Sequence, residues 1–166
     1  MKTEYKFTFI PIVTTHPDAI VPTQKQGDVG FDVSSVEDME ILPGSTQKVP
    51  TGLKIADSII TPSQNEEVQF LKVEGRSGLA SKGIFPVGGI IDPDYRGEIG
   101  IILHNSSQDI FKINKGDRVA QLVCYNVLAT NIFNKVRFTI VEDVSETNRG
   151  NKGFGSSGMQ WAMFCW

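Results

Sequence analysis

Short segments rich in β-branched or aromatic residues are the feature that most constrains how this chain can fold. They lie at residues 6–13, 68–73, 98–103, 118–123 and 137–144, bounded by Gly, Pro, Asn or Asp. Such segments favour β-strands, and no long stretch shows the 3.6-residue apolar period of a helix. The one helical candidate is short and follows Ser77. The pattern predicts an all-β fold, either a barrel, a sandwich or a jelly roll.

The composition is that of one ordinary domain. The chain has 166 residues and a formal net charge of −3, so it presents no basic face for duplex nucleic acid. Its two cysteines, Cys124 and Cys165, give neither a metal-ligand spacing nor a disulfide framework, which favours a reducing compartment. No signal peptide is evident, and no stretch approaches the roughly 20 apolar residues that span a bilayer. We expect a cytoplasmic protein without nucleic-acid or membrane partners, in the host cytoplasm if viral, with the nucleus left open if eukaryotic.

Two regions are predicted along the chain. Residues 1–144 would form the β domain, and residues 145–166 a flexible C-terminal arm that is rich in Gly, Ser and Asn and ends in an apolar tail. Polar stretches at 57–67 and 129–134 are predicted to be loops that extend from the β domain. The tail at 159–166 would be a liability if exposed, so we expect it to pack on the barrel or on a partner subunit.

The run at residues 88–100 carries the strongest chemical signal. Two isoleucines lead into Asp92, a Pro-Asp turn follows, and then come Tyr95, an arginine and a glycine. This composition predicts a β-hairpin. A carboxylate and a phenol would therefore lie close together at the end of a strand, although a polar hairpin tip without function remains open on these residues alone.

Three further segments place polar residues where the fold does not require them. Asp32 follows a glycine and an aromatic residue at the start of a strand. Arg76, Ser77 and Gly78 lie at a strand-to-helix turn, where amides, a hydroxyl and a guanidinium can bind an anion; a serine cap with a solvated arginine is the alternative. Gln121 is polar on an otherwise apolar strand and needs a partner, which a neighbouring backbone would supply.

The last polar segment, residues 149–158, combines Arg149, Lys152, several glycines and two serines around Phe154. That composition suits a polyphosphate bound under an aromatic side chain. Its glycine spacing also matches the dinucleotide-binding pattern. Only eight residues follow, however, and these leave no room for the helix and the acid that this pattern needs.

Taken in chain order, the five segments resemble the five motifs of the homotrimeric dUTPase family. The resemblance runs from residue 27 to residue 158, and residues 75–80, 91–97 and 149–158 are its most specific parts. It implies a distorted jelly-roll β-barrel that forms a threefold homotrimer with shared active sites. The second and fourth motifs of each site would come from one subunit, the first and third from a neighbour, and the arm from the remaining one.

The resemblance also implies an enzyme, a dUTP diphosphatase that hydrolyses dUTP to dUMP and pyrophosphate with Mg²⁺. Such an enzyme limits uracil in DNA and supplies dUMP for dTMP synthesis. Asp92 is the implied catalytic base, and Asp32 is the implied acid that contacts Mg²⁺ through water, with no direct protein ligand to the metal. The implied substrate-binding residues are Arg76, Ser77, Gly78, Gly89, Ile90, Ile91, Asp92, Tyr95, Gln121, Arg149, Phe154, Gly155, Ser156 and Ser157.

Each part of the substrate has an implied partner. Tyr95 would pack beneath the deoxyribose and leave no room for a 2′-hydroxyl, while the backbone of residues 88–91 recognises uracil. Residues 76–78 would hold the α- and β-phosphates, and Gln121 would orient a phosphate or the attacking water. From the arm, Arg149 and the two serines would hold the γ-phosphate, and Phe154 would stack over uracil.

Two alternatives remain. A dCTP deaminase shares the Arg-Ser turn and the Ile-Asp-Pro run, but it needs a glutamate on the next strand, where residues 101–105 are Ile-Ile-Leu-His-Asn. Deaminases also usually lack the tyrosine found here as Tyr95. The other alternative is a dUTPase-like regulatory trimer that binds a protein partner through residues 57–67 or 129–134.

Overall fold

The computed structural model describes residues 10–57 and 67–128, and these residues form an almost entirely β fold. In chain order the elements are β1 (Ile12–Thr14), β2 (Phe31–Ser34), β3 (Met39–Ile41), β4 (Thr46–Ile55), β5 (Glu67–Glu74), α1 (Ser77–Ala80), β6 (Ile84–Pro86), β7 (Ile90–Ile91), β8 (Glu98–Asn105), β9 (Phe111–Ile113) and β10 (Arg118–Leu128). The strands predicted at 68–73, 98–103 and 118–123 are confirmed within β5, β8 and β10, and the short helix after Ser77 is confirmed as α1.

Two four-stranded antiparallel sheets make up the fold. One has the order β1-β4-β8-β6 and the other β2-β10-β5-β7, while β3 and β9 form a separate pair. As its apolar sequence indicates, β10 is an interior strand, paired with β2 on one side and β5 on the other. The jelly-roll prediction is confirmed in this arrangement of sheets, although they do not close into a continuous barrel within the described part of the chain.

The inward faces of the two sheets share one apolar core. In β8, burial alternates along the strand, and Ile99, Ile101 and Leu103 are buried on one face. From the other sheet, Leu71 and Leu122 join the same cluster. This alternation is what a strand produces when one face packs on a core and the other does not. The outward face of the second sheet is therefore free to carry polar residues.

The prediction of a β-hairpin at residues 88–100 is wrong, because the two strands that flank the turn do not pair with each other. β7 pairs with β5, whereas β8 pairs with β4 and β6, so the two strands that flank the turn belong to different sheets. The turn itself is present, with the amide of Tyr95 donating to the carbonyl of Asp92 at 3.1 Å. The segment is a crossing between sheets, and Asp92 and Tyr95 lie at that crossing.

Several predictions fall outside the described residues. These are the strand at 137–144, nearly all of both polar loops, the boundary between residues 144 and 145, and the C-terminal arm with its apolar tail. The N-terminal part of the strand predicted at 6–13 also falls there, and its end lies in β1. Within the described ranges, no helix has the length and apolarity needed to cross a membrane.

Candidate active site

A row of polar side chains crosses three strands of the second sheet. In the antiparallel register, Gln121 of β10 lies opposite Asp32 of β2 on one side and opposite Glu74 of β5 on the other. Directly opposed residues in antiparallel strands project from the same face. Three segments that are far apart in sequence therefore bring their polar groups together on the outward face of this sheet.

Asp32 forms ion pairs with two arginines. Its Oδ1 lies 3.0 Å from Nε of Arg76, and its Oδ2 lies 2.8 Å from Nη1 of Arg118. Arg76 also donates through Nη1 to the carbonyl oxygen of Arg118 at 2.9 Å. These contacts fix the plane of the Arg76 guanidinium and leave its Nη2 available to an anion.

An open cleft of about 810 Å³ surrounds this network. Its lining residues are Lys25, Asp28, Val29, Gly30, Asp32, Glu74, Gly75, Arg76, Ser77, Gly78, Leu79, Lys82, Arg118, Gln121 and Val123. Both lysines in this lining, Lys25 and Lys82, make no ion pair or side-chain hydrogen bond with any residue that the structure describes. The lining carries four cationic side chains (Lys25, Arg76, Lys82 and Arg118) against three carboxylates (Asp28, Asp32 and Glu74), so the cleft retains a small positive charge for a phosphorylated ligand.

Ser77 and Gly78 begin the short helix α1 at the edge of this cleft. The residue before the helix is Arg76, in extended conformation, and no side chain caps the helix start. The serine-cap alternative is therefore wrong, because Ser77 is the first helical residue and both it and Gly78 are exposed. First-turn amides of a helix have no acceptor within it, so these two amides and the Ser77 hydroxyl are available to a ligand.

Gln121 satisfies its side chain on a neighbouring backbone, as its position predicts. Its Nε2 donates to the carbonyl oxygen of Gly75 at 2.9 Å. Its side chain lies over Gly30, where an added Cβ would come within 2.7 Å of the Gln121 Cδ. Gly30 therefore leaves the space that Gln121 occupies, and the pair joins the first polar segment to the fourth.

Asp92 and Tyr95 lie outside the cleft of their own chain, since its lining includes none of residues 88–97. The Asp92 side chain is exposed and makes no hydrogen bond or ion pair with the described residues. Tyr95 is 43% exposed, and its hydroxyl donates to the carbonyl oxygen of Glu98 at 3.1 Å. A free carboxylate and a fixed aromatic ring thus lie on the same turn.

β7, which carries Ile90 and Ile91, is an edge strand. It pairs with β5 on one side, and among the described residues no strand pairs with its other edge. Gly88 and Gly89 precede it with φ values of 76° and 115°, in the region that favours glycine. An added Cβ on Gly89 would come within 2.7 Å of Val73, so a side chain there would disturb β5. The backbone edge is open to a planar hydrogen-bonding ligand such as a base.

The structure changes the expected division of the site between subunits. Asp32 and Arg76 belong to the first and second polar segments, and their ion pair joins these segments within one chain. Gln121 of the fourth segment lines the same cleft. The prediction that a neighbouring subunit supplies the first segment is therefore wrong. Arg149, Phe154, Gly155, Ser156 and Ser157 lie outside the described residues.

Sequence reasoning missed the position of Arg118 and of the two lysines in this cleft. The signal for Arg118 was Asp32, an acid at the start of a strand, because a carboxylate that becomes partly buried there needs cationic or hydrogen-bonding partners. Its partner lies 86 residues away in sequence. Lys25 and Lys82 carry no local signal, because solvated lysines are common at any surface.

Mg²⁺ would find few direct protein ligands here. In the described ranges no group of three or more His, Cys, Asp or Glu is placed to hold a metal ion. The Asp32 carboxylate points at two guanidiniums, and its remaining lone pairs suit water better than a cation. These residues fit an ion that is held mainly by ligand oxygens and water, which is a common arrangement for Mg²⁺.

Together these features define an all-β, jelly-roll-like protein with a cationic cleft for a phosphorylated ligand and a separate open backbone edge. The family model for dUTPase matches residues 17–158. The deoxyuridine 5′-triphosphate nucleotidohydrolase of Picosynechococcus sp. is 40% identical over 151 residues, covering 89% of this chain and 96% of that protein. The chain belongs to the dUTPase family.

Solved structures agree with this assignment. The dUTPase of Staphylococcus bacteriophage 80alpha with dUPNHPP superposes with a TM-score of 0.70 at 25% identity, covering 90% of this chain and 98% of that one. A mutant dUTPase from phage phi11 of S. aureus, described as coordinating a structural Mg(II) ion, has a TM-score of 0.60 at 20% identity, covering 84% of this chain and 99% of that one. The second likeness concerns the fold alone.

Proposed function

We propose that this protein is a dUTP diphosphatase that hydrolyses dUTP to dUMP and pyrophosphate. The observation that carries the proposal is the fixed guanidinium of Arg76, held by Asp32 at 3.0 Å beside the free amides of Ser77 and Gly78. A guanidinium and adjacent amides bind phosphate oxygens by charge-assisted hydrogen bonds. They would hold the α- and β-phosphates in the cleft, and Gln121 would orient a phosphate or the attacking water.

Asp92 is the proposed general base. Its exposed carboxylate has no partner among the described residues, so its oxygens are free to accept a proton from water. The activated water would attack the α-phosphorus opposite the pyrophosphate leaving group. The same carboxylate would accept a hydrogen bond from the 3′-hydroxyl of the substrate.

The backbone edge of β7 is the proposed uracil site. One backbone edge of β7 has no strand partner among the described residues, although the Gly89 carbonyl already accepts from the Val73 amide at 2.9 Å, and the two glycines let a base approach closely. The methyl group of thymine would collide with such a close backbone. Tyr95 would pack beneath the sugar, where its ring leaves no space for a 2′-hydroxyl; a buried hydroxyl without a partner costs about 1–3 kcal/mol.

A homotrimer with shared sites is part of the proposal. Within one chain the cleft lining omits residues 88–97, so a second copy would bring its Asp92 and Tyr95 to the cleft of the first. The arm of a third copy would supply Arg149, Ser156 and Ser157 to hold the γ-phosphate. Phe154 of the same arm, next to Gly155, would stack over uracil. This separation of base and phosphate sites supports assembly, because neither half alone can position a nucleotide.

Mg²⁺ is the proposed cofactor, bound to the triphosphate and water. It would neutralise negative charge on the phosphate oxygens. Asp32 would contact its water shell, while its main contacts remain with the two arginines. In the cell we propose a cytoplasmic enzyme that keeps uracil out of DNA and supplies dUMP.

The test is pyrophosphate release with Mg²⁺ from dUTP, dCTP, dTTP and UTP, for the wild type and Asp92→Asn. We expect release from dUTP alone and a loss of at least about 10³-fold in the mutant, since it retains the shape of the carboxylate without its basicity. Asp94→Asn, two residues along the same turn, is the matched control. Uracil nucleotide formed from dCTP would indicate a deaminase instead, and no reaction at all would favour a regulatory trimer.

A further inference from the structure

The Tyr95 ring lies directly across Gly97. A Cβ added to Gly97 would overlap the Tyr95 hydroxyl and would come within 2.5 Å of Cζ and 2.9 Å of Cε2. Gly97 does not have the positive φ that favours glycine, so alanine is allowed by its backbone. What excludes a side chain at position 97 is therefore the aromatic ring itself.

The hydroxyl of the same ring is held at Glu98. Tyr95 donates to the Glu98 carbonyl oxygen at 3.1 Å. The Glu98 side chain in turn accepts hydrogen bonds at Oε1 from the amides of Thr51 and Gly52, each at 3.2 Å. These amides lie where the β4–β8 register shifts, between Pro50 and Lys54. The carboxylate thereby ties the backbone of residue 98, and with it the acceptor of the Tyr95 hydroxyl, to the neighbouring strand.

We infer that Gly97 and Glu98 are positioning residues that set the height of the Tyr95 ring and thereby determine selectivity for deoxyribose over ribose. The inference rests on the proposed function, in which this ring packs beneath the sugar. The bare backbone of Gly97 lets the ring lie flat, and the Glu98 carbonyl fixes its outer end. Neither residue needs to touch the nucleotide.

A side chain at position 97 would displace the Tyr95 ring. An alanine at 97 needs ordinary contact distance of at least 3.4 Å, so the ring must move by about 1 Å away from that backbone. A binding site excludes an added hydroxyl only if the side chains around it are held in place. An apolar site discriminates against such a hydroxyl by no more than about 10²-fold. A displacement of this size is therefore enough to change sugar selectivity.

The experiment compares kcat/KM for dUTP and UTP in wild type, Gly97→Ala and Gly100→Ala. Gly100 is the matched control, because the three atoms nearest to an added Cβ there all belong to the flexible side chain of Lys48, which is exposed. We expect the dUTP:UTP ratio to fall at least about tenfold in Gly97→Ala and to stay within about twofold in Gly100→Ala. An unchanged ratio in a folded, active Gly97→Ala enzyme would overturn the inference.

A second pair of variants keeps the test decisive if Gly97→Ala folds poorly. Tyr95→Phe removes the hydrogen bond to Glu98 and keeps the ring, so we expect a smaller fall in the ratio, about threefold. In a Tyr95→Ala background, Gly97→Ala should leave the ratio unchanged, since no ring remains to displace. An equal effect of Gly97→Ala with and without the ring would contradict the inference. Wild-type enzyme inactive on dUTP would instead refute the proposed function.

Discussion

The carboxylate of Asp32 lies between two arginines, with Oδ1 at 3.0 Å from Nε of Arg76 and Oδ2 at 2.8 Å from Nη1 of Arg118. Arg76 and Asp32 are only about one-quarter exposed, whereas Arg118 is half exposed. A partly desolvated carboxylate interacts with guanidinium more strongly than a solvated one. The contact therefore fixes Arg76 in the cleft rather than forming a dispensable surface ion pair.

Asp32→Asn should raise KM for dUTP by at least about tenfold. The amide NH2 group of asparagine would then face a guanidinium N–H, so two hydrogen-bond donors would oppose each other. Steady-state kinetics of pyrophosphate release measures this change. Asp28→Asn is the matched control, since Asp28 lines the same cleft without contacting any arginine that the structure describes, and its effect should stay within about threefold.

A double-mutant cycle with Arg76→Lys identifies how Asp32 acts. If Asp32 acts through Arg76, the two losses are strongly non-additive. A shift in half-saturating Mg²⁺, with additive losses in KM, would instead assign the main role of the carboxylate to the metal's water shell.

Gly30→Ala should lower kcat/KM about tenfold while the protein remains folded by circular dichroism. The new Cβ would come within 2.7 Å of Cδ and 3.0 Å of Cβ of Gln121, so the side chain must leave the Gly75 carbonyl that it contacts at 2.9 Å. In a Gln121→Ala background the same change should cost less than about twofold. A tenfold loss in both backgrounds would show that Gly30 acts independently of Gln121.

The local sequence was sufficient for β8, β10 and α1, because strand alternation and turn residues act over a few positions. It was insufficient for the pairing of the two strands that flank the turn at residues 92–97. A tight turn between two strands looks the same whether they pair with each other or, as β7 and β8 do, with different partners. Sheet partners depend on contacts between distant segments, which a local pattern does not contain.

The same limit applies to the site. The residue types at Asp92, Arg76 and Gln121 indicated a functional site. A carboxylate, a guanidinium and an isolated polar group on an apolar strand are each informative by themselves. The partners that hold them were not predictable. Arg118 reaches Asp32 across the pairing of β10 with β2, whose register shifts between Arg118 and Ala120.

Asn105→Ala should lower the free energy of unfolding by about 3 kcal/mol. Asn105 is fully buried, and its Nδ2 donates to the carbonyls of Ile41 and Asp109, each at 2.8 Å, while Oδ1 accepts from the amide and hydroxyl of Ser107. Truncation leaves the carbonyl of the buried Ile41 without this partner and away from water, and it also removes the contacts to the more exposed Asp109 and Ser107. Urea denaturation at fixed subunit concentration measures the loss.

Asn114→Ala is the control for that measurement. Asn114 is exposed, and within the described ranges its side chain donates only to Asp117, at 3.2 Å, so its loss should cost less than about 1 kcal/mol. Equal destabilisation by the two variants would show that the buried network around Asn105 does not stabilise the fold.

The pKa of Lys72 should exceed its ordinary value of 10.5, because its ammonium donates a hydrogen bond to Glu74 and is attracted by the charge of that carboxylate. Since the pKa is raised on folding, the resulting stabilisation is complete below pH 10.5 and is lost as the pH rises through the folded-state value. An NMR titration of the Lys72 Cε resonance measures the pKa directly. Glu74→Gln should lower the pKa toward 10.5 by removing the carboxylate charge and weakening the hydrogen bond, whereas Glu37→Gln, at an exposed glutamate that forms no ion pair among the described residues, should leave it unchanged. A Lys72 pKa that does not respond to Glu74→Gln would mean that this contact does not persist in solution.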